Sequence, residues 1–321
     1  MKVGIGKVEP GAFYIDVAFR KATKLGSQVK SSVKGAHIYR VRQVELKKLE
    51  VASDSLRDSF TSIVVAFPSV DQLSEFYVGL LDSTIGIAPF RKALSTVNWA
   101  SRKVTELRKI YWKKIKECHE PHEVGGIKKQ FYGRLGSVGK QITPDLAFLE
   151  RARRALLDFP VVRPKMFTVA ISGFPNVGKT TLIYKLTGSK PEIANYAFTT
   201  KSINVGYVGK GREVIQFLDT PGTLNRFNKM NTVEKQAWLA LKYCATIIVY
   251  VFDLTEPYPL EEQKKLFEEI KRFDKPLIIY LSKTDILDKN VVDAFCKEFE
   301  CITDSDVLKA RVDEMSKKRD V

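Results

Sequence analysis

The spacing of apolar residues changes about half-way along the chain. In the first half, apolar residues recur every three or four positions with charged residues between them, which is the period of a helix with one buried face. This spacing predicts helices over residues 70–81, 90–110 and 146–157. We therefore expect the first half to be a helix bundle.

The second half alternates short apolar runs with helical segments, the pattern of a layered α/β domain. The runs predict strands at 168–172, 203–208, 214–218, 246–252 and 276–281, and helices at 180–187, 232–243, 260–272 and 291–298. Glycines 209 and 211 predict a hairpin, so one strand is antiparallel and the others parallel. The expected fold is a doubly wound, mostly parallel sheet preceded by an all-α bundle.

The boundary between the two halves is marked by proline. The segment 160–164 reads PVVRP, and proline neither continues a helix nor pairs inside a sheet. We place the helical domain at 1–161 and the α/β domain at 162–321.

One stretch of the first half interrupts the helical pattern. Residues 118–143 contain Pro121 and glycines 125, 126, 133, 136 and 139, which predict at least one loop or turn there. Arg134 and Lys140 lie among these glycines. Either the glycines let the backbone approach another surface closely, or the segment is a plain connector.

The positive charge of the chain is concentrated in the first half. Residues 1–165 carry 30 Lys and Arg against 16 Asp and Glu, which leaves 23 against 21 for the remainder. A basic excess of this size attracts polyphosphate, and a large RNA is the natural partner because binding releases counterions. The alternative is a well-solvated basic surface with no partner.

The cysteines and the hydropathy bear on the compartment. Cys118, Cys244, Cys296 and Cys301 show no framework spacing, and we find neither a signal peptide nor an apolar run long enough to cross a bilayer. We therefore expect a reducing compartment and no membrane partner. His119 and His122 beside Cys118 are interpreted as a solvated helix end, because a zinc site needs about four ligands.

Residues Gly173 to Thr180 read GFPNVGKT, a phosphate-binding loop that follows a predicted strand and opens a predicted helix. In such a loop the backbone N–H groups surround phosphates, Lys179 reaches the outer phosphates, and the Thr180 hydroxyl binds Mg²⁺. The nucleotide-binding residues predicted here are Gly173, Phe174, Pro175, Asn176, Val177, Gly178, Lys179, Thr180 and Thr181.

Two further segments are expected to sense the γ-phosphate. Thr199 and Thr200 precede the second strand, and we choose Thr200 as a metal ligand that binds only while the γ-phosphate is present. Asp219 and Gly222 lie in DTPG at the end of the third strand, placing a carboxylate beside the metal and a backbone N–H toward the γ-phosphate. The predicted metal ligands are Thr180, Thr200 and Asp219.

Ser282, Lys283 and Asp285 form the sequence SKTD after the fifth strand. A carboxylate at Asp285 would accept hydrogen bonds from N1–H and the 2-amino group of guanine, so GTP and GDP are expected over adenine nucleotides. Serine at 282 replaces the usual asparagine, which predicts weaker nucleotide affinity. Residues 302–304 are a degenerate candidate for the loop that closes over the base.

Hydrolysis is expected to be slow without an activator. Thr223 follows DTPG in place of the glutamine that orients water in many signalling GTPases. Asn176 either holds a monovalent cation, K⁺, near the phosphates or only shapes the loop. The candidate catalytic residues are Lys179, Thr200, Gly222 and Asn176.

These strings also carry a family resemblance. FPNVGKT, YAFTTKSINVG, IQFLDTPGTLNR and NTVEKQAWLAL resemble the nucleolar GTP-binding protein (Nog) family of the Obg group, and FPSVDQLSEFY, LSTVNWASRKV and FYGRLGSV resemble its N-terminal helical domain. The resemblance covers nearly all of the chain, which is similar to short archaeal forms without the eukaryotic tail, and it implies a cytoplasmic location. We expect a monomer. Thr223 stands where the family usually has leucine and Ser282 where it has asparagine.

The resemblance implies assembly of the large ribosomal subunit, with the helical domain on ribosomal RNA, Mg²⁺ as cofactor and potassium as a further candidate. The leading hypothesis is therefore a GTPase that hydrolyses GTP to GDP on a pre-ribosomal large subunit. The alternatives are a nucleotide-sensing RNA-binding assembly or anti-association factor with negligible turnover, and a GTPase of tRNA modification or membrane insertion.

Overall fold

The computed structural model describes residues 4–163, 165–187, 204–209, 214–220, 232–255 and 259–318. Its contacts divide the chain into two compact units. The helical unit comprises Lys2–Gln72 and Ile85–Leu157, and the α/β unit comprises Leu73–Thr84 and Asp158–Val321.

Six helices precede the sheet in the sequence. They are α1 (Gly11–Ser32), α2 (His37–Ala66), α3 (Glu75–Thr84), α4 (Ile87–Glu117), α5 (Pro121–Gln141) and α6 (Thr143–Leu157). All except α3 belong to the helical unit, whose core includes the fully buried rings of Phe60, Phe90 and Phe131. The expected helix bundle is therefore confirmed, although α1 and α2 were not among the predicted helices.

The expected break within residues 118–143 is a short connector at 118–120, between α4 and α5, and the glycines do not mark it, because α5 runs unbroken through the glycine-rich stretch. Pro121 occupies the first turn, where its missing N–H costs nothing, and Glu120 and Glu123 form a reciprocal capping box. Each glycine weakens a helix by only about 1 kcal/mol. The buried side chains of Phe131 and Leu135 offset that cost through packing.

In its described residues, the α/β unit contains one sheet of five strands in the order β2-β3-β1-β4-β5. The strands are β1 (Thr168–Ser172), β2 (Asn204–Val208), β3 (Ile215–Asp219), β4 (Ile247–Phe252) and β5 (Leu277–Leu281). Its helices are α7 (Lys179–Thr187), α8 (Thr232–Tyr243), α9 (Leu260–Lys271), α10 (Lys289–Phe299) and α11 (Ser305–Lys317).

The sheet confirms the predicted fold class. Among the strands that the structure describes, only β2 is antiparallel to its neighbour, β3, and the pairs β1–β3, β1–β4 and β4–β5 are parallel. Strands β1, β3 and β4 are buried at every position, in agreement with their mostly apolar sequences. Helix α11 was not predicted.

Helix α3 belongs to the α/β unit although its sequence lies inside the helical half. It packs on α8, where a Cβ added to Gly79 would lie 2.6 Å from Leu239 Cδ2. The Tyr77 hydroxyl lies 3.0 Å from the carbonyl oxygens of Pro160 and Val162 and from the amide nitrogen of Val162. The predicted boundary lies between residues 161 and 162, whereas the α/β unit also includes α3 and residues 158–161. Whether the two parts are independent domains stays a prediction.

The cysteines include one pair that the spacing did not suggest. Cys296 and Cys301 form a disulfide with a Cα–Cα distance of 4.8 Å. The chain reverses at Glu300, whose φ of 47° is left-handed, and this turn brings the end of α10 next to Cys301. Cys118 and Cys244 are buried free thiols. Among the described helices, none has an apolar stretch that would reach across a bilayer.

Candidate nucleotide-binding site

Two glycines of the loop between β1 and α7 have backbone conformations that other residues rarely adopt. Gly173 has a φ of 147° and Gly178 a φ of 92°. A Cβ added to Gly173 would lie 2.5 Å from the carbonyl oxygen of Val251 in β4, so no larger residue fits without a shift. Asn176 is exposed and also left-handed, with a φ of 63°.

The side chains of this loop divide between the core and the surface. Val177 is fully buried and Phe174 packs against the same core, so these two residues have only their backbone to offer a ligand. Asn176 and Thr181 are exposed. The assignment of the whole loop to nucleotide binding stays a prediction that this geometry supports.

Lys179 is the first residue of α7 and is only 8% exposed. Its ammonium donates to the carbonyl oxygens of Gly173 at 3.0 Å and Phe174 at 2.6 Å. Burial lowers the pKa of Lys179 to about 8, and the nearby carboxylate of Asp219 acts in the opposite direction. The lysine is thus a desolvated cation inside the loop, where an anion would bind strongly.

Two of the three predicted metal ligands meet at the end of β3. The Thr180 hydroxyl donates to Asp219 Oδ2 at 2.7 Å, although the two residues are 39 positions apart in the sequence. Asp219 is the last residue of its strand and is 8% exposed. A hydroxyl and a carboxylate are hard oxygen ligands, so this donor pair fits Mg²⁺.

Several predicted site residues lie outside the described residues. They are Thr200, the third predicted metal ligand, and Gly222, the predicted γ-phosphate contact, together with their neighbours Thr199 and Thr223. Their proposed roles stay predictions.

The predicted base-recognition residues lie beside the phosphate loop. A Cβ added to Gly178 would lie 3.9 Å from Ser282 Cβ. The Ser282 amide and hydroxyl both donate to the carbonyl oxygen of Phe252, at 2.9 and 3.0 Å, so this side chain is engaged with the backbone. Asp285 is exposed on a short 3-10 turn, Thr284–Ile286.

The candidate closing segment, residues 302–304, begins beside strand β5. Ile302 bridges to Tyr280 in β5, with the Ile302 amide donating to the Ile279 carbonyl at 2.9 Å. Asp304 caps α11, because its carboxylate accepts from the amides of Asp306 and Val307. Its side chain therefore stabilises a helix end, whatever its further role.

Sequence reasoning missed Asp253, which follows β4 directly and is completely buried. Its Oδ2 lies 2.6 Å from Lys283 Nζ. The available signal was an acidic residue directly after a six-residue apolar strand, at the edge of the sheet where ligands bind.

Comparisons with known proteins agree with this geometry. A family model described as "NOG1 N-terminal helical domain" matches residues 5–163, and one described as "50S ribosome-binding GTPase" matches residues 168–283. An uncharacterized protein of Methanocaldococcus jannaschii is 37% identical over 89% of this chain and 82% of its own length. The chain belongs to the NOG1 family of GTPases.

NOG1 relatives from eukaryotes are longer. Nucleolar GTP-binding protein 1 of Drosophila melanogaster is 33% identical over 87% of this chain but only 43% of its own length. The chain thus spans less than half of that relative. The NOG1 assignment confirms the family resemblance read from the sequence and the P-loop GTPase fold.

One solved structure in the comparison is that of Aquifex aeolicus Era bound to GDP and AlF4⁻. It is 32% identical over 42% of this chain and 48% of the Era chain, with a TM-score of 0.33. A TM-score this low supports no inference about function.

Proposed function

We propose that this chain binds GTP with Mg²⁺, hydrolyses it to GDP and phosphate, and acts in the assembly of the large ribosomal subunit through RNA contacts of its helical unit. The observation that carries the proposal is the meeting of three separate motifs at one edge of the sheet. Thr180 contacts Asp219, and Gly178 lies beside Ser282. A phosphate loop, a metal carboxylate and a base-recognition motif are what a guanine nucleotide requires.

Different residues would bind different parts of the nucleotide. Lys179 and the loop amides would hold the phosphates, while Thr180 and Asp219 would hold Mg²⁺. When bound, the metal neutralises charge on the β- and γ-phosphates. Asp285 would select guanine, because its carboxylate accepts two hydrogen bonds that adenine does not donate in that arrangement.

Hydrolysis by this site rests on residues that act on the γ-phosphate. Thr200 and Gly222 retain the proposed roles of metal ligand and backbone donor, and Asn176 that of a K⁺ ligand. The exposed, left-handed position of Asn176 at the loop surface is compatible with this last role.

Base selection is tested by Asp285→Asn. An amide in place of the carboxylate loses the pairing with guanine and gains one with xanthine, whose C2 oxygen accepts where guanine donates. We expect the variant to bind XDP more tightly than GDP, in calorimetric titrations of both nucleotides. A variant that still prefers GDP would contradict the placement of the base.

Turnover is tested by phosphate release with and without large ribosomal subunits, in K⁺ and in Na⁺. The proposal expects stimulation by the particles, and more in K⁺ than in Na⁺ if Asn176 holds the cation. Lys179→Ala is the matched inactive control. Absence of stimulation under every condition would leave only the nucleotide-sensing factor without turnover.

The RNA-binding part of the proposal rests on the exposed cations of the helical unit. Many of them have no carboxylate partner within residues 4–163, in contrast to the ion-paired Arg57, Arg108 and Arg153. The exposed basic residues of 4–163 without such a partner are Lys21, Lys24, Lys30, Lys34, Arg40, Lys92, Arg102, Lys109, Lys114, Lys116, Lys129, Arg134, Lys140, Arg151 and Arg163. Unpaired cations are available to phosphates.

Helix α5 offers a simple test of this surface. It exposes Lys129, Arg134 and Lys140, and a Cβ added at Gly133 or Gly136 would meet nothing within 4 Å, so the backbone there is open to close approach. Replacing the three cations by alanine should reduce the slope of log K against log salt for rRNA binding by about 2 to 3.

The matched control replaces three exposed lysines of the α/β unit, Lys289, Lys297 and Lys309, in the full-length chain. The proposal expects the control to keep the wild-type slope within about 1. Equal slopes for wild type and the α5 variant would show that α5 does not contact the RNA.

A further inference from the structure

Asp253 is held rigidly at the end of β4. Its amide donates to Gln263 Oε1 at 3.1 Å, and its carbonyl oxygen accepts from Gln263 Nε2 at 2.7 Å. Its Oδ1 accepts from the amide of Thr255 at 2.8 Å and from the Thr255 hydroxyl at 2.7 Å. Backbone and side chain are therefore both fixed, which leaves Oδ2 aimed in one direction.

That direction is toward Lys283. The Lys283 ammonium lies 2.6 Å from Oδ2, and the carboxylate is completely buried while the lysine side chain is 33% exposed. A buried carboxylate is costly unless a cation neutralises it, so the pair is strongly favoured once Asp253 is inside the sheet. Lys283 also has a left-handed backbone, with a φ of 53°, which a non-glycine residue keeps only where its surroundings enforce it.

The pair lies at the edge of the sheet that carries the base-recognition residues. Strands β4 and β5 are parallel neighbours with Phe252 opposite Leu281, so Asp253 and Ser282 both leave the sheet at the same edge. Ser282 donates its hydroxyl to the Phe252 carbonyl and has no second donor with which to fix a neighbouring segment. At this edge the Asp253 carboxylate holds the Lys283 ammonium, a contact that the Ser282 side chain does not provide.

We propose that Asp253 is a positioning residue for guanine recognition, acting through Lys283. By anchoring the ammonium, it fixes the long lysine side chain and the turn that carries Asp285 before the nucleotide arrives. A lysine loses considerable rotamer freedom when it is ordered, and ordering it in advance removes that cost from binding. This inference rests on the proposed function of the site.

A double-mutant cycle between Asp253 and Lys283 tests the inference. Asp253→Asn keeps the shape and an acceptor for Thr255 but removes the charge that attracts Lys283. Dissociation of fluorescent GDP is measured by stopped flow for wild type, Asp253→Asn, Lys283→Ala and the double variant. Asp293→Asn, at an exposed carboxylate on α10, is the matched control.

We expect Asp253→Asn to accelerate GDP dissociation at least about tenfold in the wild-type background and less than about twofold in the Lys283→Ala background. The control should dissociate GDP at the wild-type rate. No effect of Asp253→Asn overturns the inference. An equal effect in both backgrounds also overturns it, because the carboxylate would then support the fold rather than the lysine.

A second variant covers the case in which Asp253→Asn does not fold. Thr255→Val is at an exposed position and keeps both charges, but it removes one of the two hydrogen bonds that orient the carboxylate. It should accelerate dissociation about two- to fivefold, again only while Lys283 is present; no acceleration, or acceleration without Lys283, contradicts the inference. Failure of the proposed function itself would look different, because wild type would then not prefer GDP to ADP.

Discussion

Tyr77→Phe tests how α3 is attached to the α/β unit. The tyrosine is 6% exposed, and its hydroxyl lies 3.0 Å from the Pro160 and Val162 carbonyl oxygens and from the Val162 amide. The hydroxyl has one proton, so it donates to one carbonyl at a time and accepts from the amide. Removing it leaves the Val162 N–H with its second acceptor, the Pro160 carbonyl oxygen at 3.1 Å, and deprives the two carbonyl oxygens of the hydroxyl donor.

The cost follows from that count of hydrogen bonds. The net contribution of a hydrogen bond is about 0.5–1.5 kcal/mol, and the ring itself remains in the variant. For a unit of this size, each kcal/mol lost lowers the midpoint of thermal unfolding by about 2–4 °C. We therefore expect Tyr77→Phe to lose about 1 kcal/mol of unfolding free energy.

The assay is urea unfolding of the full chain, followed by tryptophan fluorescence and circular dichroism. Tyr39→Phe is the matched control, because Tyr39 is 46% exposed and should lose less than about 0.5 kcal/mol. A Tyr77→Phe variant as stable as the control would refute the reasoning.

The pH dependence provides an independent check. Burial raises the pKa of Tyr77 to about 12, whereas an unfolded tyrosine ionises near its ordinary value of 10. The contribution of the hydroxyl is fully present below pH 10 and is lost as the pH rises toward 12. The difference in stability between wild type and Tyr77→Phe should therefore be constant below pH 10 and decrease above it.

Three further predictions concern the site and the cysteines. Gly173→Ala places a Cβ against the Val251 carbonyl oxygen at a φ that alanine rarely adopts. The variant should therefore lose about 1–3 kcal/mol of unfolding free energy in urea or bind GDP more weakly. A variant unchanged in both stability and GDP affinity would contradict the loop geometry. Because the pKa of Lys179 is lowered to about 8 and phosphates should raise it, GDP binding should take up about half a proton per molecule at pH 8 and close to none at pH 7 through this group. Calorimetry in two buffers measures the uptake, and equal values at both pH values would count against a lysine with this pKa. Alkylation of the unfolded, unreduced protein should label two of the four cysteines and spare Cys296 and Cys301, while labelling of all four without reduction would rule out the disulfide.

The sequence predicted the sheet well because most of its strands are short, largely apolar runs bounded by turn residues. β1 and α8 have the predicted bounds, and the other predicted strands and helices of this half agree to within two residues at either end. The pairing of Thr180 with Asp219 followed from the same reasoning, since Thr180 lies in the first turn of the helix after the β1 loop and Asp219 ends the neighbouring strand β3. Local periodicity and short motifs were sufficient there.

Tertiary packing decided the features that the sequence did not predict. The glycines of α5 predicted a loop, but burial of residues such as Phe131 outweighed their weak helix propensity. The disulfide depends on a left-handed turn at Glu300, which spacing alone does not indicate. Asp253 was missed because a single acidic residue after a strand has meaning only once its partner Lys283 is located.

Helix α3 has a practical consequence for work with parts of this protein. The chain enters the α/β unit at Leu73, leaves it after Thr84 and enters it again at Asp158, so no single cut separates the two units. A fragment ending at residue 161 would retain α3 without α8, so the surface of α3 around Gly79 that Leu239 covers in the intact chain would face water. Such a fragment should be prone to self-association, which could be mistaken for RNA-dependent assembly.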